Sequence, residues 1–529
     1  MLKNLSFVIK ANQDFIRHTG DDANINAPLL NNLFDSVSHT YIPLLRMIER
    51  LSADNVPCRF GLVLPPVLCN LLSDEHIQEL YIQWLDKKIE LGNRELKRLI
   101  GDNAKINLCK QIINGYVMLK EEFTVHYGKN LIGAFAEFMN KGYIELLGTC
   151  GTDIFIPHYS DMKEVISAQI ECGLHAYRQY FGIMPDGFWL PAFGYTPGVE
   201  KLIRAYGYTY TILDSRSVLL SETTPEGGVF YPSRTENSLV IFARDSRLND
   251  EVFGKEGYCR NSCYRNENRD IGFDLPMEQL TSYFGENNCR YTTGYKYWNR
   301  LIDNSEASIY NPEQARKQAE TDAKSFVSKR LEILDKAAEL LSSKDFVTTV
   351  FAIDEDLCRK WNESIVWLEY VFRFARDESL NVVSCNQMVD HQFDLEKITP
   401  YYSAGIGAGY GECLLSSKNC WMVRYVRKAC ERMIDLADRF PNDTGLKTRL
   451  LNLGAKELMI AQSLNLGKMI DDAQLPEFAT KRFKESIIAF TDVFDSLGSN
   501  IVSTEWLTTL ESRDSVFSWM NYRIFSKKK

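Results

Sequence analysis

The chain has 529 residues, 45% of them apolar and 25% charged, with a net charge of -9. This length exceeds one ordinary core, so about two or three domains are expected of a globular protein. The negative charge excludes a non-specific nucleic-acid binder, which needs a basic face, and no apolar run reaches the ~18 residues of a membrane span.

The N-terminal MLKNLSFVIKANQDF has a short apolar run that polar residues soon interrupt, unlike a signal peptide. Thirteen cysteines form no repeating framework; Cys259 and Cys263 are spaced for neither a zinc knuckle nor a redox pair. Unframed thiols fit a reducing compartment, so a cytoplasmic location is expected. No cofactor or metal site is indicated.

Seven short β-rich runs follow in order: Leu5–Ile9, Arg59–Leu64, Tyr143–Gly148, Gly187–Pro191, Tyr210–Ser215, Leu239–Asp245 and Phe346–Asp354. Amphipathic helical patterns such as Met162–Gly182 separate several of them. Strand-helix alternation over this span predicts a parallel β/α barrel. Residues Leu72 to Tyr127 read as a helical insertion between early strands. Near Pro400 the pattern changes. The Gly-rich Tyr401–Glu412 reads as a linker or cleft loop, and Asn419 onward is almost wholly helical. The expected division is a barrel over residues 1–400 and an all-α domain over 401–529.

Barrel chemistry sits at the C-terminal ends of strands. That criterion selects Lys10 to Asp14, Thr152 and Asp153, Pro191 to Phe193, Asp214, Asp245 and Asp354. Carboxylates at several strand ends suit glycoside chemistry, which uses two flanking the scissile bond. Each Asp could equally cap the helix that follows.

Several collinear stretches resemble glycoside hydrolase family 57, and within it the 1,4-α-glucan branching enzymes. They are RDIGFDLP (Arg269–Pro276), TTGYKYWNR (Thr292–Arg300), YNPEQARKQAETDAKSFVSKRL (Tyr310–Leu331) and GFWLPAFGYTPG (Gly187–Gly198). In the helical region AKELMIAQSL (Ala455–Leu464), KRFKE (Lys481–Glu485) and Glu505–Phe525 continue the likeness. The resemblance implies an incomplete seven-fold β/α barrel of TIM type, a helical insertion and a C-terminal helical domain. It also implies retaining chemistry on α-glucans, with a Glu nucleophile and an Asp acid/base.

At the residues that the resemblance makes catalytic, the chain departs from the pattern. The family's nucleophile strand ends Trp-Leu-Pro-Glu; here Ala192 follows Trp189-Leu190-Pro191. A methyl group cannot attack an anomeric carbon. Asp354 falls on the acid/base position and Trp361 on a family tryptophan, but a Gly-His pair between them has become Arg359-Lys360. The first strand's His-Ala-His reads Lys10-Ala11-Asn12, Asp153 stands where a histidine is expected, and a Tyr-Pro-Gly-Asp loop has become Tyr258-Cys259-Arg260-Asn261. Ser463-Leu464-Asn465-Leu466 replaces a Ser-Ser-Asp-Trp segment.

One cause explains these losses: a family member without catalysis that keeps a saccharide cleft. Trp189, Phe193, Tyr258, Trp298 and Trp361 are its candidate aromatic contacts, beside Asp14 and Asp153. Core packing is the competing account of each ring. A second reading keeps an active branching, glucanotransferase or hydrolase function through Asp354 and a relocated carboxylate: Asp153 first, then Asp14 or Asp214. An inverting pair about 6.5–9.5 Å apart is then the easier geometry. A third reading is a regulatory scaffold in glycogen metabolism, although no sequence feature names a protein partner. Lys10 and Arg359-Lys360 also leave room for an anionic ligand such as a phosphosugar.

Overall fold

The computed structural model describes residues 1–16, 27–285, 289–301, 308–354, 357–389, 394–499 and 502–527. Among the described residues there are nine strands: β1 (Leu2–Lys10), β2 (Phe60–Val63), β3 (Ile144–Leu146), β4 (Gly187–Phe188), β5 (Tyr210–Asp214), β6 (Ser233–Arg234), β7 (Val240–Arg244), β8 (Phe346–Ile353) and β9 (Asn381–Val382). Seven of them run parallel in the order β3-β2-β1-β8-β7-β5-β4. A single parallel bridge, Gly148 to Phe188, joins the two ends. The result is the expected nearly closed seven-stranded barrel. All seven strand runs read from the sequence fall on these strands.

Both faces of the strands are covered, which is why they read as apolar runs rather than as an alternation. Alternate residues Tyr210 and Ile212, Val240 and Phe242, Val350 and Ala352 fill the barrel interior. Their neighbours Leu213, Ile241, Phe351 and Ile353 meet the surrounding helices. The two-residue strands β6 and β9 were not legible in the sequence. The first pairs antiparallel with β7, and the second pairs with Asn4 and Leu5 near the start of β1. After β9, Cys385 and Met388 enter the interior cluster and close the end of the barrel opposite the site.

Between β2 and β3 lie helices Pro66–Ser73, Glu75–Arg98, Asn103–Glu121 and Leu131–Asn140. Asp74, Asp102 and Asn130 accept from backbone N–H groups at the starts of the last three. Asn311 caps the 29-residue helix Pro312–Leu340, with proline at its first position. After the loop that follows Pro400 come helices Trp421–Arg439, Leu446–Ala461, Leu464–Asp471, Pro476–Ser499 and Thr504–Arg513. A buried amide network docks them on the barrel. Gln169 donates to Thr152 Oγ1 at 2.9 Å and to Gln462 Oε1 at 2.7 Å, while Thr152 Oγ1 donates to the Met459 carbonyl.

The structure explains why RDIGFDLP and TTGYKYWNR belong together. Asp270 is fully buried. One carboxylate oxygen accepts from Gly272 N, Thr293 N and Thr293 Oγ1, and the other accepts from Gly294 N, at 2.6–2.9 Å. Gly294 adopts φ +86°, and a Cβ there would lie 1.9 Å from the Tyr116 hydroxyl, so only glycine fits against the insertion. Asp270→Ala strands these donors and is expected to cost about 3 kcal/mol of unfolding free energy in urea denaturation. A loss below about 0.5 kcal/mol would show that the two segments hold together without it.

Candidate active site

The C-terminal ends of β1 and β8 and the segment after β3 converge on one ammonium group. Lys10 closes β1 and is only 2% exposed. Its Nζ donates to Asp153 Oδ2 at 3.1 Å and to Asp354 Oδ1 at 3.1 Å. The two carboxylate oxygens are therefore no more than twice that distance apart, with the ammonium in the gap. Burial alone would make Lys10 easier to deprotonate. Asp153 and Asp354 outweigh it and hold the ammonium well above its ordinary pKa.

The helical region supplies one more side chain. Leu464 N donates to the Asp153 carbonyl at 2.6 Å, and Asn465 Nδ2 lies 3.4 Å from Asp153 Oδ2 and 3.5 Å from Asn12 Oδ1. Asp14, beside them, is pushed up to about 6 by burial, against the lowering effect of a hydrogen bond from Asn465.

Ala192 lies on the turn after β4. Ala192 (φ 50°, ψ 26°) and Phe193 (φ 50°) both occupy the left-handed region, which costs non-glycine residues about 1–2 kcal/mol each. What this strained turn carries at Ala192 is a methyl group. It packs with Phe155, Ala404, Leu414 and Leu464 and is 4% exposed. The Gly-rich segment covers it, with Gly405 N donating to the Ala192 carbonyl at 2.6 Å. Arg216 fixes that cover by donating to the carbonyls of Ala408 (2.7 Å) and Ala404 (3.5 Å). A Cβ at Gly409 would fall 1.4 Å from the Arg216 guanidinium, so glycine is required for this approach.

Asp214 is unavailable as a relocated nucleophile. It is fully buried, pairs with Arg216 and Arg244 at 2.8 Å each, and caps the helix Ser215–Leu219. Burial raises its pKa, but the two guanidinium groups leave it below the usual carboxylate range. Asp245 likewise caps Ser246–Phe253 and lies 3.4 Å from Arg330. For these two residues the capping account holds.

The five candidate aromatic contacts are not brought together. Trp189, Phe193 and Trp361 are 1%, 1% and 0% exposed. The first two belong to the barrel interior, and Trp361 packs on Tyr264 and Trp367. These three offer no face to a sugar, because each ring is packed in the core. Half-buried Tyr258 contacts Glu251 and Ser325, and Trp298 carries Lys105 and Arg269 over its ring. A cleft of about 470 Å³ does remain beside Lys10. Asn12, Asp14, Asn32, Asp354, Arg359 and Asn465 are among its lining residues. Sequence reasoning missed the Lys10 bridge and Asn465 as its neighbour. A lysine ending an apolar strand, with strand-end aspartates to pair, was the available signal.

Lys10→Met leaves two aspartates without their cation and is expected to lower stability by about 3 kcal/mol at pH 7. Because the folded pKa of Lys10 is raised, its contribution is complete below 10.5 and is lost only as pH climbs beyond that value. The gap between wild type and variant in thermal melts should therefore stay constant from pH 6 to 9. Asp14 works in the opposite sense. Its folded pKa is raised from 3.8 to about 6, so it subtracts stability as pH rises through that interval. Asp14→Asn should raise unfolding free energy at pH 7.5 by up to about 2 kcal/mol, a gain that shrinks toward pH 4.

Residues 6–401 match Glycosyl hydrolase family 57, and residues 425–525 match the region described as 1,4-alpha-glucan branching enzyme, C-terminal. A 1,4-alpha-glucan branching enzyme of Thermococcus kodakarensis is 24% identical, over 92% of this chain and 73% of its own length. The alpha-amylase AmyC of Thermotoga maritima superposes with a TM-score of 0.91 at 26% identity, with 100% of both chains covered. The branching enzyme of Pyrococcus horikoshii shares the fold, with a TM-score of 0.88 at 21% identity over 100% of this chain and 98% of that one. Since the first match spans the barrel and the second most of the C-terminal helices, the chain belongs to glycosyl hydrolase family 57.

Proposed function

We propose that this chain is a family member without glycosyl-transfer or hydrolytic activity, which keeps its cleft as a saccharide-binding site. The observation that carries this reading is the Lys10 ammonium between Asp153 and Asp354. A retaining mechanism needs two carboxyl groups about 5–5.5 Å apart with the anomeric carbon between them. Here Asp153 and Asp354 have a buried cation in the gap between them, where a sugar carbon would have to sit for the two to act as a pair. One Asp354 oxygen already receives a hydrogen bond from Lys10. The same obstruction opposes a relocated nucleophile at Asp153, and Asp214 is committed to two arginines.

The nucleophile position supports the reading independently. Ala192 has apolar neighbours and a backbone cover, so the space beneath it is no longer that of a carboxylate. Binding without turnover is the function left to such a cleft, and an α-glucan or a fragment of one is the ligand the family suggests. A regulatory role would follow from binding alone.

Amylose incubated with the purified protein should keep its iodine colour and release no new reducing ends. Ala192→Glu should not restore activity. It should destabilise the fold by about 3 kcal/mol, because the new carboxyl is buried among apolar side chains. Robust conversion of amylose by the wild type, abolished by Asp354→Asn, would sink the proposal. So would an Ala192→Glu variant that is both active and as stable as wild type.

A further inference from the structure

We propose that the cleft beside Lys10 takes a short, uncharged, hydroxyl-rich ligand of one or two sugar rings, gripped by amide side chains rather than by aromatic faces. The inference rests on the reading of this cleft as a saccharide site and names the ligand class that fits it.

Five amides line the cleft: Asn12, Gln13, Asn32, Asn465 and Gln474. They come from the segment after β1, the helix Ala27–Ser36, the helix Leu464–Asp471 and the turn that follows it, so they reach the space from several sides. An amide carries N–H donors and a carbonyl acceptor, the pattern that complements hydroxyl groups, which both donate and accept; Gln13 and Asn465 already spend part of theirs on Asp14, Asn12 and Asp153. No aromatic ring lines the cleft among the described residues; its apolar share is Leu29, Met469 and Leu475. A groove for a long glucan needs platforms on which successive rings stack. The described residues of this cleft supply none, and the five candidate rings are packed in the core or held elsewhere.

Charge does not select an anion. Arg359, Lys360 and Lys468 are matched by Asp14, Asp354 and Asp472 in the same wall. Among the described residues the wall is polar without a net sign, which suits a neutral ligand better than a sugar phosphate. The volume of about 470 Å³ lies in the lower half of the range for small-ligand sites, about 300–1,000 Å³. The rim is also shaped at a cost. Ala473 (φ 57°) and Leu475 (φ 56°) hold left-handed backbone on either side of Gln474, and strain of this kind gathers where a site must be held in shape.

The test is calorimetric titration of the full chain with glucose, maltose, maltoheptaose and glucose 6-phosphate. Glucose and maltose should bind, maltoheptaose should stay within about threefold of maltose, and glucose 6-phosphate should be no tighter than glucose. Asn465→Leu and Asn32→Leu should each weaken maltose about tenfold. Asn32→Leu carries the test alone if the less exposed Asn465 variant fails to fold; an unchanged melting temperature certifies it. Absence of binding by both glucose and maltose, a preference for maltoheptaose or the phosphate beyond about threefold, or binding indifferent to Asn32→Leu would overturn the inference. Conversion of maltoheptaose to other chain lengths would contradict the non-catalytic reading instead, and would leave the ligand class standing.

Discussion

A buried ammonium shared by two carboxylates holds the mouth of this barrel together. Lys10, Asp153 and Asp354 leave the ends of three different parts of the sheet, and each would be expensive to bury alone. Together they form one unit that the surrounding packing can enclose. The cation's position is fixed by β1, the strand that pairs with β2, β8 and β9. What makes the site stable also fills it. This barrel end binds two of its carboxylates to a side chain of its own, and the proposed non-catalytic role rests on that contact.

A second closure lies across the same end. The Gly-rich segment after Pro400 sits over Ala192, anchored by Arg216, which is itself anchored by Asp214. Four glycines, Gly405, Gly407, Gly409 and Gly411, allow it to lie close to Phe193, Glu412, Arg216 and Phe155 respectively. The strained backbone at Ala192 and Phe193 survives beneath it. Strain in a turn is tolerated where the surrounding contacts over-determine it, and here those contacts are structural.

The architecture was legible because strand runs and helix periods are local signals. The seven apolar runs became the seven parallel strands, and Met162–Gly182 became the helix Lys163–Phe181. The likeness of RDIGFDLP and TTGYKYWNR to a family pair has its physical reason in one buried aspartate, a contact between residues some twenty positions apart. The site was legible only in part. The departure at Ala192 stood out because it is a single residue set against the motif the chain resembles, and its consequence for chemistry belongs to the proposal. The Lys10 bridge spans |i−j| separations of 143 and 344, and no periodicity announces such a contact. The aromatic residues misled for a different reason. Composition favours sugar-binding rings, but the direction of a ring depends on the local backbone, and Trp189 just after β4 and Phe193 on the turn that follows both face inward. The short strands β6 and β9 escaped because two residues cannot carry a pattern.

A high-resolution crystal structure of the protein soaked with maltose tests the account most directly. It should show Lys10 Nζ still within hydrogen-bonding distance of both Asp153 and Asp354, with any sugar confined to the amide-lined cleft outside that gap. A sugar ring seated between the two aspartates, its anomeric carbon within about 3.5 Å of a carboxylate oxygen and the lysine displaced, would contradict it.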